Sequence, residues 1–196
     1  MSKSHPPLTP DEARQALELI EATARQMRRF AAYGGMAYFL LLWGTVWLLG
    51  FGANHFVQDP AMRGRIWTVL DLLGLAGTGY VVWWLHKTRQ GIRWGFGSTL
   101  GWFWITWMGY GLLFIYFAQP QDGTLLSMLL SLWAMYGYVV SGLLFRSRLL
   151  VGLGLTVTAF IIVGYLALPA YFNLWMALFG GGSLIVAGGY ILSSWR

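Results

Sequence analysis

Residues 148–193 read RLLVGLGLTVTAFIIVGYLALPAYFNLWMALFGGGSLIVAGGYILS, and Arg148 is the only charged side chain among them. Two apolar runs, 148–168 and 171–193, flank Pro169-Ala170. Each has the ~20 residues a helix needs to cross the hydrocarbon core of a bilayer. Lipid offers the backbone no hydrogen-bond partner, so such runs must satisfy their peptide groups internally, as helices. The stretch therefore predicts two membrane-crossing helices joined by a tight turn.

Working outward, four further apolar runs occupy 31–53, 66–85, 98–118 and 124–145. The connectors Asn54 to Arg65, His86 to Gly97, Gln119 to Gly123 and Arg146 to Ser147 are too short to hold a soluble domain. The expected fold is an all-α integral membrane bundle of about six transmembrane helices. The composition agrees: 57% of the 196 residues are hydrophobic and 10% charged, where a soluble domain carries about 25% charged residues.

Ahead of the first run, Thr9 to Phe30 reads as an amphipathic helix. Thr9 is placed to cap it, Pro10 stands at the first helical position, and Glu12 follows three residues after the cap. Leu17, Ile20, Ala24 and Met27 share one face, with Arg25, Arg28 and Arg29 gathered at the end. The expected division is residues 1–30 as a cytoplasmic tail and helix, and 31–196 as the six-helix transmembrane domain. Asp11, Glu12, Glu18 and Glu21 in the opening segment do not fit a cleaved signal peptide.

The net charge of +6 does not form the continuous stripe that nucleic acid requires. Basic residues flank the apolar runs instead. Arg25, Arg28, Arg29, Lys87, Arg89, Arg93, Arg146, Arg148 and Arg196 fall on one side of the expected membrane, and Arg63 and Arg65 on the other. The positive-inside rule then places both termini in the cytoplasm. Cysteine is absent, which removes disulfides, thiolate metal sites and cysteine nucleophiles.

Among residues that carry chemistry, Asp71 is the one ionisable group expected well inside a span, where a carboxylate must be paired, hydrated or protonated. It has two readings. It could belong to an ion pathway, or Thr68 could cap a helix in which Asp71, three residues on, accepts backbone hydrogen bonds near the interface. The capping reading is preferred here. His55 and His86 fall on opposite sides of the membrane and His5 lies in the tail, so no metal constellation and no cofactor site are expected.

Trp43, Trp47, Trp107, Tyr110, Trp133, Tyr136 and Tyr138 fall deep in their spans and have the chemistry to line a pocket for an apolar or cationic ligand. Packing between helices or against lipid is the preferred alternative. Gly74, with Gly77 and Gly79, and Ala177, Gly181 and Gly188 mark faces on which helix backbones can approach closely, within the chain or in a homo-oligomer. Leu72 to Thr78 resembles Leu150 to Thr156, which would suit two inverted three-helix halves; chance similarity between apolar stretches is the preferred explanation.

No nucleophile elbow, HExxH, Walker loop or dinucleotide fingerprint occurs, so an enzyme is the least favoured class. Glu12-Ala13-Arg14 through Arg28-Arg29, followed by Leu42-Trp43-Gly44-Thr45-Val46-Trp47-Leu48-Leu49-Gly50, resembles the opening of uncharacterised bacterial multi-span proteins of the inner membrane. The resemblance covers about a quarter of the chain and implies that location but no activity. Tryptophan-rich sensory proteins share the aromatic character, but they have five spans, and their Lys-Pro-x-Trp pattern is missing.

The expected function is non-enzymatic binding of an apolar ligand, a lipid or a partner's transmembrane helix. The alternatives are a small transporter or channel using Asp71, and a membrane anchor for a cytoplasmic regulator held by the N-terminal helix.

Overall fold

A computed structural model describes residues 10–88 and 95–194, and among them it contains helices and no strand. The elements are α1 (Pro10–Phe56), α2 (Pro60–Thr88), α3 (Gly95–Ala118), α4 (Gly123–Leu144) and α5 (Arg148–Ala167). A 3-10 turn (Pro169–Tyr171) then leads into a last span built from α6 (Phe172–Trp175), a π-helical stretch (Met176–Gly181) and α7 (Gly182–Ser193). Five segments are long and apolar enough to cross a membrane: Gly35–Phe56, Pro60–Leu85, Gly123–Leu144, Arg148–Ala167 and Pro169–Ser193. The chain is a membrane protein by that measure. α3 is 24 residues long and carries no charged side chain, but it is not among these five.

Two boundaries differ from expectation. The connector expected over Asn54 to Arg65 shrinks to residues 57–59, because α1 runs on to Phe56 and α2 begins at Pro60. The Asp59 carboxylate accepts hydrogen bonds from the amides of Ala61 and Met62 at 3.0 and 3.2 Å. Proline at the next position loses nothing by lacking an N–H there. Thr68 is consequently no cap: its hydroxyl donates to the Gly64 carbonyl at 2.9 Å, one turn back inside an established helix. The capping reading of Asp71 falls with it, and Asp71 lies about 17 Å along α2 from Pro60 at 1.5 Å per residue.

The second difference is at the start. α1 continues without a break across residue 30 and is 47 residues long. The cap at Thr9 and the side chains of Leu17, Ile20, Ala24 and Met27, on which the amphipathic face depends, lie outside the described residues.

Packing follows the glycines. A Cβ added at Gly181 would come within 2.6 Å of the Leu48 amide nitrogen, and one at Gly188 within 2.9 Å of the Ala37 carbonyl oxygen. α1 and the last span thus touch backbone to backbone, a contact that in lipid must be driven by dispersion because no hydrophobic effect separates helix from solvent. Gly142 and Gly154 do the same between α4 and α5, meeting the Val151 amide and the Met135 carbonyl. Leu40, Met135, Ile161, Phe172, Met176 and Leu184 fill the core around these crossings.

The resulting neighbour order is α2, α1, last span, α5, α4, α3. α2 rests substantially on α1 alone and α3 on α4 alone, so the two form the ends of an open arc. Only 6% of α2's membrane-crossing window is buried, against 39% for α1 and for the last span. Seven residue steps link Thr88 to Gly95, so the joined ends of α2 and α3 are at most about 25 Å apart. Among the described residues no substantial contact joins α2 to α3, so the arc is open between them.

Candidate functional site

The deep aromatic residues fall into two groups on separate interfaces. In the first, the Trp43 ring lies over Gly74, where an added Cβ would be 3.2 Å away. Its indole N–H donates to the Thr78 hydroxyl at 3.2 Å. Trp47 packs edge-on against Phe51 at 5.6 Å and covers Gly180. Phe51 in turn meets Trp67, which fills the space above Gly50 and donates to the Asn54 side chain at 3.0 Å.

In the second group, Trp107 and Trp133 stack at 4.7 Å between α3 and α4. Each indole donates to the other's backbone carbonyl, at 3.0 and 2.8 Å. Trp133 occupies the hollow above Gly111, and Trp107 with Trp104 the hollow above Gly137. The Tyr136 ring stands 4.8 Å from Trp107 but is largely exposed, as is Tyr110. Tyr138 is buried beside Trp104.

A glycine hollow recurs in both groups. An indole is wide and carries one polar hydrogen, so it packs well where the facing residue has no side chain, and Trp43, Trp67, Trp107 and Trp133 each also find an acceptor there. Trp175 does the same, lying over Gly164 and donating to the Phe160 carbonyl at 2.8 Å. The sequence did not reveal these pairings, because each acceptor or hollow lies on a different helix.

Gly74 thus seats Trp43, while Gly181 and Gly188 seat α1, and Ala177 is buried on the same face of the last span. The matching stretches at 72–78 and 150–156 pack differently: Gly74 is covered by Trp43 and the corresponding Gly152 faces open space.

Asp71 is exposed and has no hydrogen-bond or ion-pair partner among the described residues. Its position around α2 is fixed by its neighbours. α1 meets the last span through Ala37, Leu41, Gly44 and Leu48, and meets α2 on its opposite side. Between those two sides, Met36, Leu40 and Phe51 are buried and Thr45, Leu49 and Phe56 are exposed. One edge of the α1–α2 contact, Tyr38 with Trp84 and Leu42 with Gly77, lies toward the exposed side; the other, Trp43 with Gly74 and Thr78, lies toward the buried side. Asp71 is about 20° from Thr78 by the helical period, on this second edge. It therefore borders the inner side of the arc, one turn from the Trp43 ring.

His55 is in the last turn of α1, with its ring 4.9 Å from Phe56 and 6.1 Å from Tyr171. His86 and His5 lie outside the residues whose side chains are described. Among the described residues, no three His, Cys, Asp or Glu side chains form a group able to hold a metal ion.

Compared with protein families, curated proteins and solved structures, the chain matches none. Function has to be argued from the geometry alone.

Proposed function

We propose that the chain is a non-enzymatic protein of the bacterial inner membrane, crossing six times with both termini in the cytoplasm, that holds an apolar small molecule, a lipid or a partner's transmembrane helix. The observation that carries this reading is the arc: α2 and α3 each rest substantially on a single neighbour, with no substantial contact between them among the described residues, which would leave a lateral opening toward the bilayer. A span so little buried is either bathed in lipid or covered by something that enters from the lipid. α3 serves as the sixth crossing, since a helix of 24 uncharged residues next to α4 spans about 36 Å.

Native mass spectrometry of protein released together with its surrounding lipid tests the proposal. Retention of a discrete small molecule, a selected lipid or a partner chain is the expected result. Bare protein with neither would remove the support.

A second reading is favoured by Asp71 specifically. A carboxylate with no partner along a lateral opening also suits a transporter in which it binds a proton or cation during the cycle. That reading expects flux in proteoliposomes that Asp71→Asn abolishes. The unbroken α1 suits the anchor reading, in which residues 10–34 project as a rigid arm for a regulator; removing residues 1–30 should then end capture of the regulator and leave the bundle folded.

A further inference from the structure

We infer that the inner edge of α2, where Asp71 stands beside the Trp43 ring, is a site for a lipophilic organic cation entering from the bilayer. The inference rests on the proposed ligand-binding reading and names the ligand's chemistry.

Three observations converge on it. First, Asp71 is inside a membrane-crossing segment, is exposed, and has no partner among the described residues. The nearest basic side chain on its own helix, Arg65, is six residues toward the outer end, about 9 Å along the axis. α1, the helix packed against α2, presents no charged side chain between Gly35 and Asn54. An ionised carboxylate so placed favours any cation able to leave water cheaply.

Second, the aromatic component is already oriented. Trp43 is fixed at both ends, its ring over Gly74 and its N–H on Thr78. Gly74 is three residues after Asp71, so both lie on neighbouring turns of one helix face. Because the indole N–H is engaged elsewhere, the ring contributes its π face and edge rather than a donor. A ring of that kind beside a carboxylate is suited to cation–π and charge attraction acting together.

Third, the site is unsuited to the other cations. A metal ion needs six or more oxygen ligands if it is calcium, or near-octahedral oxygens and water if it is magnesium. Among the described residues, Asp71, Thr68 and Thr78 are the oxygen-bearing side chains near this edge; the Thr68 hydroxyl donates to the Gly64 carbonyl and the Thr78 hydroxyl accepts from Trp43, so two hydroxyls and one carboxylate fall short of such a shell. An organic cation needs no such shell. Its apolar body can lie in the lateral opening along α2, against exposed Leu75 and Val82, which follow Asp71 on the same edge.

The probe is tetraphenylphosphonium, measured by equilibrium binding to the full chain in lipid nanodiscs, with neutral triphenylphosphine oxide as competitor. Wild type should bind the cation saturably, and the neutral compound should fail to displace it. Asp71→Asn should weaken binding about tenfold or more, Asp71→Glu should retain most of it, and Trp43→Phe should weaken it several-fold through the loss of the Thr78 anchor. Trp102→Phe, an exposed position on α3, serves as the control and should change nothing. Circular dichroism of each variant separates loss of the site from loss of the fold, and Asp71→Glu keeps the test decisive if the amide misfolds.

Equal binding by wild type and Asp71→Asn would overturn the site while leaving ligand binding intact. Effective competition by the neutral compound would overturn the selectivity for charge. No cation binding by a protein that still carries a discrete lipid in native mass spectra would overturn this inference alone. A partner transmembrane segment crosslinking at Asp71 in place of the cation would do so as well, in favour of a protein occupant.

Discussion

At the residue scale, the turn between α4 and α5 gives the clearest case of a side chain working against its backbone. Arg146 has φ 53°, in the left-handed region where a Cβ is unfavourable. The geometry persists because the Ser147 amide donates to the Gly142 carbonyl at 2.8 Å and the Arg146 amide to the Leu143 carbonyl at 3.2 Å. These are the paired bonds that close a helix C-terminus, and glycine normally occupies the position Arg146 holds. Ser147 then caps α5 by accepting from the Leu150 amide. Arg146→Gly should raise stability by about 1 kcal/mol, read as a higher melting temperature in detergent; a lower one would mean the arginine contributes more than the strain it imposes.

The tryptophans show what residue identity conveys and what it hides. Their number and depth marked them as important, and two uses were open, a ligand pocket or packing. Trp107 and Trp133 are stacked and exchange hydrogen bonds with each other's backbone, a relation that depends on two helices meeting in one register and so leaves no local trace in sequence. Replacing either by Phe should cost about 1 kcal/mol for the lost bond. The pair should show a coupling of about 1 kcal/mol in a double-mutant cycle. Strict additivity would mean the two rings do not act as a unit.

At the scale of elements, the runs 124–145, 148–168 and 171–193 match spans to within two residues, whereas the second span begins six residues earlier than read and the run 98–118 is not among the five; bilayer thickness fixes the length of such runs and the backbone's need for internal hydrogen bonds their type. Where α2 begins was equally available in principle: Asp59-Pro60 is a capping residue followed by proline. Arg63 and Arg65 look like loop residues in sequence, but long basic side chains in the first turns of a helix can reach the interface from inside it. The small-residue faces were legible from spacing, but not their partners, which the structure supplies as α1 for Gly181 and Gly188.

That assignment makes a sharp comparison within one helical span. Gly181→Ala should destabilise the bundle by about 1–3 kcal/mol, since the nearest atoms belong to the α1 backbone and cannot rotate away. Gly189→Ala, where an added Cβ meets open space, should be neutral or mildly stabilising. Thermal unfolding of the two variants side by side checks this; similar losses in both would mean the last span is sensitive to glycine replacement for reasons unrelated to its contact with α1.

At the scale of the whole molecule, the order of helices around the arc was not legible, because it depends on which apolar surfaces fit, and lipid-facing and protein-facing apolar surfaces have the same composition. That order is what leaves α2 and α3 with one neighbour each and sets Asp71 beside Trp43 along the opening. The candidate site was thus half visible: Asp71 and Trp43 could each be singled out, but not their placement on one edge. The account stands on the claim that this opening receives a ligand or a helix from the bilayer. Native mass spectrometry of protein released with its surrounding lipid measures that most directly. The account predicts a discrete bound molecule or partner retained through dissociation of bulk lipid, and a spectrum of bare chains alone would contradict it.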